Sequence, residues 1–216
     1  MTRPRLPAGP VHVGGFGGAT GLADWLRAHD VTAVVDASHP FAARISANAV
    51  RATREVGLPL LRLERPAWTP GAGDRWHEVP DVAAAAERLP GLGRSALVTT
   101  GRRNLDAFAA LTGVRVLARC VDPPGVVAPH VTVLLDRGPY TLDGELDLLQ
   151  RNGIEVLVTK NSGGAMTAAR LEAARRLGLP VLMVRRPQPP PDARPPAVVC
   201  EVADALAWAR ERLAGG

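Results

Sequence analysis

The stretch IEVLVTKNSGGAMTAARLEAARRLGLPVLMV, residues 154–184, decides the fold of this chain. Its apolar runs at 154–159 and 180–184 have the length of buried strands, and residues 166–177 between them have helical composition. Gly178 follows this helical run at the position where helices commonly end. A strand, a helix and a second apolar strand in this order are typical of a parallel β-sheet covered by helices.

The same alternation extends along most of the chain. Further strands are predicted at residues 11–14, 33–36, 59–63, 96–99, 114–118 and 131–135. Further helices are predicted at residues 22–28, 42–56 and 202–213, the last of them amphipathic. Short apolar strands that alternate with helices predict an α/β protein built on parallel sheets.

An internal echo suggests two similar halves. The pattern GLPLL followed by RP, at 57–66, recurs as GLPVL followed by RP, at 178–187. Either a duplication or the common order of helix, glycine and strand explains it, and both give two α/β halves. The break LPGLG at 89–93 places the boundary, so we predict domains at 1–90 and 91–216, with the tail helix packed on the second half.

Composition and charge disfavour several classes of protein. The 216 residues are 46% hydrophobic with a net charge of +5, which is typical of a globular protein. The apolar runs are too short to span a bilayer and the first ten residues lack the apolar segment of a secretory signal, so we expect no membrane partner and a cytoplasmic location. Scattered basic residues disfavour nucleic acid. The spacing of cysteine and histidine predicts no metal, and both cysteines are expected to be buried.

Four polar loops follow predicted strands, at the edge where open α/β sheets bind ligands. In the first, DASHPF at 36–41, either Ser38 caps the next helix and His39 is solvated, or the loop contacts a nucleotide or substrate. The other three are TTGRRN at 99–104, RGPY at 137–140 and TKNSGG at 159–164. Their cations suit carboxylate or phosphate groups.

A glycine-rich segment, GGFGG at 14–18, follows the first predicted strand. It departs from the dinucleotide pattern GxGxxG because Thr20 stands where the third glycine belongs. A tight turn is the simpler interpretation. The segment still leads from a strand into a helix, so it is also a candidate to line a cofactor.

Five segments, taken together, resemble the successive signatures of the precorrin-6A reductases. They are GGFGG at 14–18, DASHPFA at 36–42, TTGR at 99–102, RGPY at 137–140 and KNSGG at 160–164. Their order and spacing also match, and the similarity covers nearly the whole chain.

This resemblance implies two Rossmann-like domains with a cleft between them. It implies NADPH held mainly by the first domain, a tetrapyrrole with acetate and propionate groups in the cleft, and hydride transfer to precorrin-6A or its cobalt form in cobalamin biosynthesis. The residues expected at the cofactor are Gly15, Phe16, Gly17, Asp36, Ser38, His39 and Pro40. Those expected at the substrate are Arg102, Arg137, Tyr140, Lys160, Asn161 and Ser162. Candidate proton donors are His39, Tyr140 and Lys160, and none is assigned.

The beginning of the chain departs from the family pattern. Residues 1–7 resemble the segment that follows the family's first strand, glycine-rich loop and second strand. The first domain is therefore expected to be incomplete, without the loop that would receive the pyrophosphate of NADPH. Two rival hypotheses stay open: a tetrapyrrole-binding protein without reductase activity, and an unrelated nucleotide-binding α/β protein.

Overall fold

The computed structural model describes residues 9–214 and contains two parallel β-sheets, which confirms the predicted α/β class. Residues 9–38, 42–64 and 189–214 form a first compact unit, and residues 39–41 and 65–188 form a second. The chain therefore returns to the first unit near its end. The resemblance noted for residues 1–7 lies outside the described residues.

The elements follow the predicted alternation of strands and helices. The strands are β1 (Val34–Asp36), β2 (Leu60–Leu63), β3 (Arg75–Val79), β4 (Ser95–Val98), β5 (Arg115–Cys120), β6 (Val131–Leu135), β7 (Val156–Lys160), β8 (Pro180–Val184) and β9 (Val198–Val199). The helices are α1 (Gly18–Ala28), α2 (Ala43–Val56), α3 (Val82–Arg88), α4 (Leu142–Arg151), α5 (Ala169–Arg176) and α6 (Val202–Ala214). Short 3-10 turns occur at Leu89–Gly91, Arg102–Phe108, Ala165–Thr167 and Pro191–Ala193.

The second unit is built on a six-stranded sheet in the order β3-β8-β7-β4-β5-β6, with all neighbours parallel. β4 and β8 are buried along their whole length, as expected of inner strands covered on both faces. Alternate residues of β4 enter different cores: Val98 packs in a cluster with Phe108, and Leu97 in a cluster with Leu149 and Leu157. The pleat thus divides the core between the two faces of the sheet.

The first unit is built on a three-stranded parallel sheet in the order β1-β2-β9. Its core joins Leu22 and Leu26 of α1 to Val50 of α2 and Leu60 of β2. α2 ends at Gly57, which lies in the left-handed region at φ 73°. The chain can turn directly into β2 there because glycine carries no Cβ.

The predicted boundary near residue 90 differs from this division into units. β3 pairs with β8 and so brings residues 65–90 into the second unit, whereas β9 pairs with β2 and returns the chain after residue 188 to the first. The tail helix α6 packs on β2 and β9, so the prediction that it packs on the second half is wrong. These associations are long-range backbone pairings, which local sequence patterns do not encode.

Three local predictions also need correction. Residues 11–14 form no strand, and the side chain of Val13 is 84% exposed. β3 and β9 were not predicted, because both are edge strands and carry little of the apolar signal of inner strands. Cys120 is buried as expected, but Cys200 is exposed.

Candidate active site

The second unit contains a cavity of about 380 Å³ near the carboxyl ends of β4, β5 and β7. This is the edge at which open parallel sheets bind ligands. We call it the arginine cavity, because its lining includes Arg65, Arg119, Arg137 and Arg170. The rest of the lining is mainly aromatic or polar and includes His39, Trp68, Thr99, Cys120, Asp136, Tyr140, Thr159, Ser162 and Thr167.

The predicted site residues divide between the cavity and its surroundings. His39, Arg137, Tyr140 and Ser162 line it. Arg102, Lys160 and Asn161 are not among the lining residues. Arg102 is exposed, and its guanidinium donates a hydrogen bond of 3.2 Å to the carbonyl oxygen of Pro123. A place beside a strand end is therefore not enough to bring a cation into the cavity.

Asn161 is buried and acts on the cavity through a neighbour. Its Oδ1 accepts a hydrogen bond from the backbone N–H of Trp68 at 2.8 Å, and its Nδ2 donates to the Trp68 carbonyl at 2.9 Å. Trp68 lines the cavity, and its indole Nε1 donates to the carbonyl of Gly164 at 3.2 Å. Asn161 thus fixes one wall of the cavity.

Lys160 lies half-buried at the end of β7. Its Nζ is 5.2 Å from the centre of the Phe41 ring, a distance at which a cation is attracted to the ring face. Burial lowers the pKa of this ammonium group. The observed contact of Lys160 is therefore with an aromatic ring in the same unit.

Two arginines that the sequence analysis missed form part of the cavity wall. The guanidinium carbons of Arg119 and Arg170 lie 4.3 and 5.5 Å from the centre of the Tyr140 ring. Arg119 Nη1 also donates to Glu145 Oε1 at 2.6 Å, in an ion pair that is almost fully buried. We call Arg119, Tyr140, Glu145 and Arg170 the arginine cluster.

A sequence signal for this cluster exists. Arg119 interrupts the buried run 116–120 of β5, which is otherwise apolar, and arginine is almost never fully buried unless it is paired. In α5 the buried positions are 170, 171, 173 and 174, so Arg170 occupies the stripe that normally faces the core. A charged residue at a position that normally faces the core is a sign of a functional site. The prediction of site residues from the sequence relied on the composition of the polar loops and did not use this sign.

The first unit contains a second cavity, of about 470 Å³, at the start of α1. We call it the glycine cavity; it is lined by Gly15, Phe16, Gly17, Gly18, Leu22, Arg44, Ile45 and Asn48. A Cβ added at Gly15, Gly17 or Gly18 would meet no atom within 4 Å, so the turn borders open space. A glycine turn at a helix N-terminus beside an arginine suits an anionic group such as a phosphate.

Gly21 is the glycine of this turn that the sequence analysis missed. A Cβ at Gly21 would collide with the carbonyl oxygen of Phe16. Glycine therefore permits the loop to fold tightly onto the first turn of α1. The sequence signal for Gly21 was its place one position after Thr20, the position at which the pattern GxGxxG would have its third glycine.

Asp36 and Ser38 belong to a buried network in the first unit. Arg62 Nη1 lies 2.8 Å from Asp36 Oδ2 and 3.1 Å from the hydroxyls of Ser38 and Ser46, while its Nε lies 3.1 Å from Glu64 Oε2. Burial alone would raise the pKa of Asp36. Hydrogen bonds from Ser38 and Ser46 and the charge of Arg62 outweigh it, and the pKa is lowered. We call these five residues the Asp36 network.

The loop 36–42 divides between the two units. Ser38 does not cap α2, because that helix begins after Ala42 and has no side-chain cap. His39 lines the arginine cavity, and its Nδ1 accepts the backbone N–H of Phe41 at 3.2 Å, so the neutral ring carries its proton on Nε2. Pro40 is buried.

Comparison with known proteins identifies the family. The family model described as precorrin-6x reductase CbiJ/CobK matches residues 1–210. The chain belongs to this family.

Individual members of the precorrin-6x reductase family are similar over most of the chain. The precorrin-6A reductase of Rhodococcus erythropolis is 53% identical over 95% of this chain and 82% of its own length. That of Rhodobacter capsulatus is 45% identical over 84% of this chain and 73% of its own. A solved structure, CobK precorrin-6A reductase, superposes with a TM-score of 0.88 at 40% identity, covering 94% of this chain and 82% of that chain.

Membership in the precorrin-6x reductase family confirms the resemblance read from the motifs, and it makes the chain an oxidoreductase.

In the part of the chain that the structure describes, no helix is long and apolar enough to cross a membrane. Within residues 9–214, no three His, Cys, Asp or Glu side chains are grouped as metal ligands. The absence of a metal stays a prediction.

Proposed function

We propose that this chain reduces precorrin-6A, or its cobalt form, with hydride from NADPH in cobalamin biosynthesis. The observation that carries the proposal is the arginine cavity in a chain of this family. The substrate bears acetate and propionate groups, and guanidinium groups bind carboxylates through charge-assisted hydrogen bonds. Four arginines around one cavity are what such a substrate requires. The cytoplasm stays the predicted compartment.

The glycine cavity supports the cofactor part of the proposal. The backbone of Gly15–Gly18 and the side chain of Arg44 would hold phosphate groups of NADPH. When bound, NADPH supplies the hydride. Asp36 and Ser38 would contribute by fixing the shape of their loop, because Arg62 already engages both side chains.

His39 is our candidate for the proton that accompanies the hydride. Of the three candidate donors, His39 and Tyr140 line the arginine cavity, whereas Lys160 is not among its lining residues. The Tyr140 hydroxyl donates to the carbonyl of Asp136 at 3.3 Å. His39 Nε2 carries a proton in the neutral ring, and the residue lines the cavity in which the substrate would lie.

The direct experiment mixes the purified protein with precorrin-6A and NADPH without oxygen. Loss of reduced-nicotinamide absorbance should accompany the spectral change of the tetrapyrrole, with one NADPH consumed per macrocycle. Tetrapyrrole binding with no consumption of NADPH would favour the rival hypothesis of a binding protein without reductase activity.

A pair of variants on α2 tests the position of the cofactor. Arg44→Met should weaken NADPH binding by about tenfold or more, because a charge-assisted hydrogen bond to phosphate contributes about 1.5–3 kcal/mol. Arg51→Met is the matched control, since Arg51 lies on the same helix and pairs with Asp192 at 2.9 Å. Equal NADPH affinities of the two variants would place the phosphates elsewhere.

A further inference from the structure

Arg170 is a buried cation without an acidic partner. Its side chain lines the arginine cavity although the residue is only 7% exposed. Its Nε has no hydrogen-bond partner among the described residues, and none of the ion pairs of residues 9–214 includes it. It also lies in the first turn of α5, where the helix dipole disfavours a positive charge. Two unfavourable terms therefore act on the same side chain.

Arg119, by contrast, is compensated by Glu145. The 2.6 Å ion pair takes up one carboxylate oxygen of Glu145, and the second oxygen has no hydrogen-bond partner in the described part of the chain. Asp136 Oδ2 lies 3.6 Å from Arg119 Nε, beyond hydrogen-bond distance, and its side chain is 40% exposed. The buried part of the cluster thus holds two guanidinium groups and one carboxylate.

Tyr140 contacts both guanidinium groups. The ring faces Arg119 more closely than Arg170, at 4.3 against 5.5 Å. A ring face attracts a cation but provides no oxygen to accept its N–H groups. Arg170 therefore lies on the wall of the cavity with a positive charge that the Tyr140 ring attracts but that no oxygen of the ring face accepts.

We propose that Arg170 is the anchor for one carboxylate of the tetrapyrrole, and that Glu145 and Arg119 are positioning residues that hold the Tyr140 ring beside it. The inference rests on the proposed function for the identity of the substrate. The chemistry is general: a carboxylate would supply the acceptor and the negative charge that the cluster lacks.

The electrostatics of Arg170 agree with this geometry. Burial lowers its pKa, and the nearby charge of Glu145 acts in the opposite direction without cancelling the effect. A guanidinium starts from so high a value that it stays charged at neutral pH. A bound carboxylate would offset the hydration that burial removes.

The test is a binding titration of the full chain with a water-soluble porphyrin that carries eight carboxylates. Trp68 lines the cavity, so binding can be followed by quenching of tryptophan fluorescence. Arg170→Met should weaken binding by about tenfold or more, the effect of one charge-assisted hydrogen bond. Arg176→Met is the matched control, because Arg176 is exposed on the same helix and pairs with Glu172; its affinity should equal that of the wild type.

Thermal unfolding separates an anchor from a structural residue. Arg170→Met should unfold at the same temperature as the wild type or above it, because an apolar side chain replaces an unpaired buried charge. Arg170→Lys should recover part of the porphyrin affinity. The inference is wrong if Arg170→Met binds like the wild type, or if it unfolds at a lower temperature and Arg170→Lys restores no binding.

The reductase assay keeps this inference distinct from the proposed function. A wild-type chain that binds the porphyrin through Arg170 but consumes no NADPH with precorrin-6A would contradict the proposed reduction and support the anchor. Active wild-type and Arg170→Met proteins with equal Michaelis constants for precorrin-6A would overturn the anchor and leave the reduction standing. A wild-type chain that binds no porphyrin would also overturn the anchor.

Discussion

Each unit buries a group of charged side chains, and the two groups differ in how fully they are partnered. In the Asp36 network, Arg62 is 4% exposed, and its nitrogens meet two carboxylates and two hydroxyls. In the arginine cluster, atoms of Arg119, Glu145 and Arg170 lack hydrogen-bond partners among residues 9–214. The first group is complete within the chain, whereas the second is not.

We interpret this difference as one between charges that are satisfied within the chain and charges that are left for a ligand. Removal of one partner from a buried ion pair is strongly destabilising, because it leaves an uncompensated buried charge. A buried charge without partners costs free energy until something from outside supplies them. The motif around Asp36 suggested a ligand site, but its side chains are already engaged. In the arginine cluster, by contrast, some buried atoms have no hydrogen-bond partner among residues 9–214.

The largest expected effect is on the Asp36 network. Asp36→Asn removes the charge that faces Arg62 and should lower the free energy of unfolding by about 3–5 kcal/mol, the usual cost of breaking a buried pair. Denaturant titration measures it. Asp24→Asn is the control, because Asp24 pairs with Arg27 at an exposed site where the loss should stay below about 1 kcal/mol. Equal losses of stability for the two variants would contradict the conclusion that Asp36 and Arg62 form a buried ion pair.

A smaller loss of stability is expected from the same change in the arginine cluster. Glu145→Gln should cost about 1–3 kcal/mol, because the amide oxygen of glutamine can still accept the Arg119 N–H and Asp136 Oδ2 lies 3.6 Å from Arg119 Nε. The amide can still hold Arg119 beside Tyr140, so the variant should also bind the carboxylated porphyrin more tightly than the wild type, since the cluster loses a negative charge. Weaker binding together with full stability would show that Glu145 does not compensate Arg119.

The pH dependence of stability provides a further test of the Asp36 network. The pKa of Asp36 lies below its ordinary value of 3.8 in the folded chain, so its contribution is present above that value and is lost as the pH falls through the folded pKa. Wild-type stability should therefore decline below pH 3.8. The decline should be shallower in Asp36→Asn, and parallel curves for the two proteins would contradict the assignment.

The smallest effects are expected from exposed arginines. Arg137→Ala, at the rim of the arginine cavity, should raise the Michaelis constant for the tetrapyrrole by no more than about fivefold, because water screens an exposed ion pair to below about 1 kcal/mol. Arg102→Ala should leave the constant unchanged, since Arg102 is not among the lining residues. If Arg102→Ala raised the Michaelis constant more than Arg170→Met, the exposed arginine and not the buried one would bind the tetrapyrrole.

The sequence by itself determined the family and most of the helices and strands. β6 and β8 begin and end where their apolar runs predict, and α2 ends at the predicted glycine, because strand and helix signals are local. The motifs at 36–42 and 160–164 were enough for the family, since a motif is a property of the chain. The predicted polar loops at 99–104, 137–140 and 159–164 contribute residues to the arginine cavity, at the carboxyl edge of the second sheet.

Only the tertiary structure decided which side chains meet. β3 and β9 join their sheets through partners distant in the chain, and this moved the division between the units away from residue 90. Arg119, Glu145 and Arg170 come from β5, α4 and α5, and their contacts depend on how these elements pack. Sequence shows that a charge lies at a core position, but whether it is compensated depends on neighbours that only the folded backbone brings within a few ångströms.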